Sequence, residues 1–354
     1  MITRRSLLAA AAAVPLGTGA PVRTARLTLP APTGPHRIGA VTRQVAGHGR
    51  ELTVSIWYPA RDIRRHPVAP WLPAAPLRAL LESVGLPVGV AAPLTAGHEG
   101  APAAAGCLPA VVFSHGAGGH RSETTIVVQE LASHGYVVVT VDHPFDSYGE
   151  LPDGRLTVPD DDVSITPWDH AHDIRVVLDG LKHLAAGVGA TIDPHRIGMF
   201  GWSKGATATA LVMNTDRRVR AGLSFDGPMQ SQPPVAAVDR PFMLMTAEFT
   251  EDTEDTEDTE DSGVAEFLAL PHGWQLDVHV DGALHGSLCD QQWLIPQLPI
   301  NADDLPGWLG TLAPAQAVRI QQAYPLAFFD QHLRGRRQRL LEGPSRAFPA
   351  VLFT

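Results

Sequence analysis

The chain is short of cysteine, of aromatic residues and of charge. Two cysteines in 354 residues, Cys107 and Cys289, cannot form the framework that holds a disulfide-stapled scaffold together. They are not expected to pair with each other either. Cys107 precedes a strand-like run, LPAVVF, and Cys289 follows a histidine assigned to the opposite end of the sheet. A strand of about six residues separates those ends by roughly 20 Å, far beyond disulfide reach. Aromatics make up 6% and charged residues 18%, yet 44% of the chain is hydrophobic, which excludes a disordered polymer. No basic or extended stretch points to nucleic acid. Beyond the N-terminus there is no apolar run long enough for a bilayer.

What charge there is sits unevenly. The net charge is −10, but the run Thr250–Asp261 reads TEDTEDTEDTED and holds eight acids, leaving about −2 for the rest. This repeat lacks the D-x-D-x-D-G spacing of a calcium loop. It reads as a solvated acidic loop over 249–262, placed after a strand on the functional rim, where it would repel anionic substrates. The first twenty residues, MITRRSLLAAAAAVPLGTGA, have a basic start, an apolar stretch from Leu7 to Leu16 and a small-residue end. Thr3-Arg4-Arg5-Ser6-Leu7-Leu8 resembles a twin-arginine export signal. The expectation is a removed signal over 1–25, cut near Ala20 or Ala25, and an extracytoplasmic chain from 26 to 354. A retained helical anchor is the alternative.

A length of 354 residues allows one large domain, and 31 prolines and 33 glycines imply many loops. HRIGAVTRQV and ELTVSIWYPA open as strands; Leu52, Val54, Ile56 and Tyr58 alternate as in a strand buried on one side. Residues 64–106 are rich in Pro and Ala, with one short helical stretch, PLRALLESVGL. They read as a surface connection, or alternatively as a cap beside the site. From 108 onward apolar runs alternate with helical ones: LPAVVFSHG, SETTIVVQELASHG with Ser122 as N-cap, YVVVTVDH, WDHAHDIRVVLDGLKHLAA, HRIGMFGW, a helix from Lys204, RAGLSFDG, RPFMLMTAEF, LDVHVDGALH and RIQQAYPLAFFDQHLRG. This rhythm predicts a single α/β domain, a mostly parallel central sheet with helices on both faces.

Gly201-Trp202-Ser203-Lys204-Gly205 satisfies G-x-S-x-G between a strand and a helix, the setting of a nucleophile elbow. A serine on such a corner needs small residues two positions away on either side. A hydroxyl also needs a base within reach and a third group to orient that base. Both follow in chain order. Asp226 ends an apolar strand, where an acid has no packing role, and His285 lies in ALHGS after the last of the runs. Glu248, Glu251 and Asp252 compete for the acid's place, and His272 and His279 for that of the base. The loop Ser114-His115-Gly116-Ala117-Gly118-Gly119 suits an oxyanion hole. Its donors would be the backbone N–H groups of Ala117 and Lys204, with His115 as a structural, hydrogen-bonded histidine.

VVFSHGAGG, LASHGYVVVTVDH, GWSKG, LSFDGPM and GALHGS together resemble the plasma-type platelet-activating-factor acetylhydrolases and their bacterial esterase and lipase relatives, of the α/β-hydrolase fold. The resemblance runs from about residue 35 to the C-terminus. It implies Ser203, Asp226 and His285 as nucleophile, acid and base, and oxyanion donors at Ala117 and Lys204. It implies a serine carboxylic-ester hydrolase acting on a small-molecule or lipid ester with a short acyl chain, without metal or organic cofactor. A triacylglycerol lipase or polyester hydrolase is the alternative within enzymes, and a non-catalytic binding protein on the same fold the alternative outside them. Trp202 and Lys204 depart from the family pattern, which has histidine and an apolar residue there. The Lys204 side chain would either stabilise an anionic substrate or fold back to solvent.

Overall fold

The structure is a computed structural model that describes residues 25–47, 49–184, 187–248 and 263–354. The export-signal expectation falls outside the described residues up to position 24, and so does the acidic loop at 249–262.

Eleven strands form one sheet: β1 (Arg37–Gly47), β2 (Arg50–Ala60), β3 (Val68–Pro70), β4 (Leu94–Glu99), β5 (Leu108–Ser114), β6 (Val137–Asp142), β7 (Ile192–Trp202), β8 (Val219–Phe225), β9 (Phe242–Thr246), β10 (Gln275–Val280) and β11 (Val351–Phe353). Their order across the sheet is β11-β10-β9-β8-β7-β5-β6-β2-β1-β4-β3. From β6 through β5, β7, β8 and β9 to β10 every pairing is parallel. Among them β5, β6 and β9 are nearly continuous apolar runs because both their faces are covered. Helices α2 (Thr125–Ser133) and α5 (Pro314–Arg334) supply Val127, Leu131, Phe328 and Phe329 to one core. Helices α3 (Pro167–Gly180) and α4 (Lys204–Thr215) supply Ile174, Val177, Leu211 and Val212 to the other. Each starts and stops for local reasons. In α3, Thr166 and Asp169 form a capping box ahead of Pro167; α5 ends at Gly335 in the left-handed region.

Three sequence expectations need correcting. Strand β2 is buried from Leu52 to Ala60, not on one side only. Its polar face is covered as well and its hydroxyls are partnered: Ser55 accepts Nε–H of Arg121 (2.8 Å) and Thr53 accepts from Gln44 (2.7 Å). Residues 64–106 are not a mere surface connection. They contribute β3 and β4 to the sheet edge, and α1 (Ala74–Ser83) buries Leu77 and Leu81 with Leu72, Leu294 and Leu298. Ser122 is not the cap of α2. The helix begins at Thr125, and its first amides, of Thr125 and Ile126, donate to the Asp290 carboxyl at 2.8 and 3.0 Å. Burial pushes that carboxyl up to about 7, against the pull of the amides. The two cysteines are unpaired, Cys107 exposed and Cys289 buried.

Candidate active site

Ser203 stands between β7 and α4 with φ +54° and ψ −126°. A non-glycine residue holds positive φ only under constraint. The constraint is visible: Ser203 N–H donates to Phe225 O on β8 (2.9 Å), and Ser203 O accepts from Ala206 N–H (2.9 Å). The two flanking glycines are required by contact. A Cβ on Gly201 would lie 2.0 Å from Gly205 O, and one on Gly205 would lie 2.1 Å from Ser114 O. No side chain fits at either position, so the strand-to-helix corner depends on both.

Asp226 follows β8, also with positive φ (+46°) and fully buried. Its Oδ1 accepts from Ala247 N–H (2.8 Å) and its Oδ2 meets His285 Nδ1 at 2.6 Å. An ionised carboxylate there keeps the proton on Nδ1 and leaves Nε2 as the basic nitrogen. His285 is brought to the elbow by Trp202, the residue before Ser203. The indole stacks on the imidazole (centroids 4.4 Å apart, 30° between planes) and its Nε1–H donates to His285 O (3.0 Å). This contact was missed in the sequence, where Trp202 stood out only as a departure from the family pattern.

The rivals are engaged elsewhere. Glu248 accepts the Gly282 amide (2.9 Å), and its own N–H donates to Ala283 O. Glu251 and Asp252 lie outside the described residues. His272 Nδ1 accepts from Val238 N–H, and its other nitrogen faces Phe267 O. His279 meets Thr246 across β9 and β10. His115 is buried; Nδ1–H donates to Gly116 O (2.7 Å) and Nε2 accepts from His143 N–H (3.1 Å). Desolvation pushes its pKa down to about 4, so it stays neutral at physiological pH.

The glycine-rich loop lies against the elbow: a Cβ at Gly116 would sit 3.0 Å from Ser203 Cβ and 2.6 Å from the Trp202 ring. Ala117 is exposed on that loop, and Lys204 is the first residue of α4. The Lys204 side chain does not fold back to solvent; Nζ is bound to Asp146 Oδ2 (2.7 Å) and Ile165 O (2.8 Å). Beneath the loop, buried Glu123 accepts from Gly116 N–H (3.3 Å), and desolvation pushes its carboxyl up to about 8. Among the described residues, no three or more His, Cys, Asp or Glu side chains are grouped to hold a metal ion.

A positive-φ serine on a parallel strand's carboxyl end, with a buried Asp–His pair on the same rim, is the arrangement of the α/β-hydrolase class, and the sheet order is that of the same fold. The chain belongs to the dienelactone hydrolase family, whose model matches residues 96–293. The model of platelet-activating factor acetylhydrolase, isoform II, matches residues 22–148. Among solved structures, a ferulic acid esterase from Streptomyces cinnamoneus is 30% identical with a TM-score of 0.80, covering 94% of this chain and 100% of its own. A probable 1-alkyl-2-acetylglycerophosphocholine esterase of Arthroderma benhamiae is 27% identical over 262 residues, 70% of this chain and 66% of its own length. A platelet-activating factor acetylhydrolase of Cavia porcellus is 28% identical over 138 residues, 34% of this chain and 30% of its own length. The chain thus spans just under two thirds of the fungal relative and less than a third of the mammalian one.

Proposed function

We propose that this chain is a serine hydrolase of carboxylic esters, with Ser203, His285 and Asp226 as its catalytic residues. The observation that carries the reading is the 2.6 Å hydrogen bond from the His285 imidazole to a fully buried Asp226, on the rim where Ser203 is held at positive φ. His285 Nε2 takes the proton as Ser203 Oγ bonds to the ester carbonyl carbon. The carbonyl π pair moves onto oxygen, and the amides of Ala117 and Lys204 receive that oxyanion. Collapse expels the alcohol with the proton returned by His285, and water repeats the sequence on the acyl-enzyme. Asp226 holds the imidazole tautomer and stabilises the imidazolium.

The substrate proposed is a short-chain acyl ester, with an sn-2 acetyl phospholipid as the leading lipid form. Two observations support a lipid. The relatives of Arthroderma and Cavia are named for that chemistry. Phe145 is 53% exposed, and Leu156, Val158 and Val163 are also exposed, all in the segment between β6 and α3. A feruloyl ester is the second reading, on the likeness to the Streptomyces enzyme. Triacylglycerols and polyesters remain the alternatives within the class. Export through residues 1–25 is likewise proposed, on the sequence pattern alone; no helix among the described residues is long and apolar enough to cross a membrane.

The test is a panel: p-nitrophenyl esters of increasing chain length, an sn-2 acetyl phospholipid and methyl ferulate. Short acyl chains and the acetyl phospholipid should give the highest kcat/KM, and Ser203→Ala should abolish turnover on all of them. Preference for long acyl chains or for ferulate would replace the substrate assignment. Unchanged turnover by Ser203→Ala would remove the mechanism.

A further inference from the structure

Of the 27 basic Lys and Arg residues, two are lysines, Lys182 and Lys204. One of the two directly follows the elbow serine, and its side chain, 19% exposed, is bound to Asp146. The same carboxylate accepts the Gly118 amide through Oδ1 (2.8 Å) while Oδ2 holds the Lys204 ammonium (2.7 Å). Gly118 follows Ala117. One side chain therefore touches both segments that carry the candidate oxyanion donors, each within one residue of the donor itself. We propose that the Asp146–Lys204 ion pair is a positioning device that fixes the spacing of the Ala117 and Lys204 amides. This rests on the reading of Ser203 as the nucleophile.

The two amides come from different parts of the chain, one from the loop after β5 and one from the first turn of α4. Their separation has to match a single oxygen atom, and stabilisation of that kind is lost with errors well under 1 Å. The strands β5 and β7 that lead into them are paired as far as Ser114 and Gly201, and Gly205 packs against Ser114 O. Asp146 adds a side-chain link between the two donor segments, and it is itself held from behind. His170 Nε2 donates to Oδ2 (2.8 Å). Ser114 Oγ bridges His170 Nδ1 (3.3 Å) and His143 Nε2 (2.9 Å), and His143 Nδ1 meets Asp173 (3.0 Å). Two hydrogen bonds from Arg50 on β2 complete the chain, at 2.7 and 2.8 Å. The two imidazoles stack face to face at 3.6 Å. Phe145, just before Asp146, is held at φ +67°, a conformation that persists only where surroundings impose it. Tyr148 N–H then donates to Gly119 O (2.9 Å), so the Asp146 loop runs along the oxyanion loop. The carboxyl of Asp146 lies below the usual carboxylate range despite burial, because His170 and Lys204 favour its charge.

The test uses Lys204→Met, Asp146→Asn and the double variant, with Lys204→Arg as the conservative replacement. Each is assayed for kcat and KM on p-nitrophenyl acetate, and for inhibition by a trifluoromethyl ketone and by its methyl ketone counterpart. The trifluoromethyl ketone adds Ser203 Oγ to its carbonyl carbon and leaves an oxyanion in the hole; the methyl ketone reports ground-state binding. Lys204→Met should lower kcat by about 10- to 100-fold, less than outright loss of a donor, with KM within about 3-fold. The trifluoromethyl ketone should weaken by the same factor and the methyl ketone should not. The double variant should be no worse than the poorer single one, since both remove one contact, and Lys204→Arg should recover part of kcat. If Asp146→Asn fails to fold, Lys204→Met decides, because Asp146 there keeps Gly118 and His170. A kcat within about 3-fold of wild type in Lys204→Met, or equal weakening of both ketones, overturns the proposal. A wild-type protein that neither turns over esters nor binds the trifluoromethyl ketone overturns the nucleophile reading instead.

Discussion

Replacing Asp226 with asparagine exchanges one carboxylate oxygen for an NH₂ and changes almost no volume, so the buried position is neither emptied nor overfilled. In the native site Oδ1 accepts the Ala247 amide at 2.8 Å and Oδ2 holds His285 Nδ1 at 2.6 Å. The Ala247 amide needs an acceptor, because leaving a buried donor unpaired costs about 1–3 kcal/mol. The asparagine oxygen therefore stays on Ala247 and its NH₂ turns toward His285. Nδ1 must then accept, and the imidazole proton moves to Nε2, the nitrogen that has to take the serine proton. The base is lost without moving a ring. The expected fall in kcat is about 10⁴-fold, or roughly 5 kcal/mol of transition-state stabilisation, with KM within about 3-fold. Glu248→Gln is the matched control. Glu248 accepts the Gly282 amide, which a glutamine oxygen does as well, so kcat should stay within about 2-fold. Initial rates on p-nitrophenyl acetate, corrected for spontaneous hydrolysis, read both. An Asp226→Asn enzyme that keeps more than about a tenth of its kcat, or a larger loss in Glu248→Gln, refutes the assignment of the acid.

Gly205→Ala should disable the elbow, since its Cβ would sit 2.1 Å from Ser114 O; overpacking costs about 1–3 kcal/mol, read as a lower Tm together with lost esterase activity, and a stable, fully active variant would contradict the contact. Glu123, raised by burial from 4.5 to about 8, contributes stability that is complete below its unfolded value and is lost as pH rises through about 8. Glu123→Gln should therefore flatten the fall of Tm between about pH 5 and 8 while leaving the acid end nearly unchanged; parallel Tm profiles would count against it. Thiol titration should find one reactive group in the native protein, exposed Cys107, and the second only after unfolding, because Cys289 is buried with its thiol pushed up; two fast-reacting thiols would contradict the packing.

The parts of this fold that were legible in the sequence are those where pattern and burial coincide. LPAVVF, YVVVTVD and HRIGMFGW are continuous apolar runs because each is covered on both faces. Asp226 stood out because an acid at the end of such a run has no packing reason to be there. The same rule holds for Asp142 and Asp146 at and after the end of YVVVTVD, whose carboxylates are paired with Arg121 and Lys204. The alternation in ELTVSIWYPA misleads because its polar residues Thr53 and Ser55 are buried and hydrogen-bonded rather than wet. Strand β11 is three residues long, and β3 and β4 lie in a stretch dominated by Pro and Ala, so none offered a period to read. The cap of α2 was invisible for another reason. Asp290 lies 165 positions from Thr125, and no local spacing connects them.

The Ser203 hydroxyl is expected to be more reactive than that of every other serine in the chain. Treating the folded protein with a fluorophosphonate and mapping the adduct by peptide mass spectrometry tests that directly. A single phosphonylated peptide carrying Ser203, absent in Ser203→Ala and strongly slowed in His285→Ala, is the result predicted. An adduct on another residue, or labelling that persists undiminished in Ser203→Ala, would contradict it.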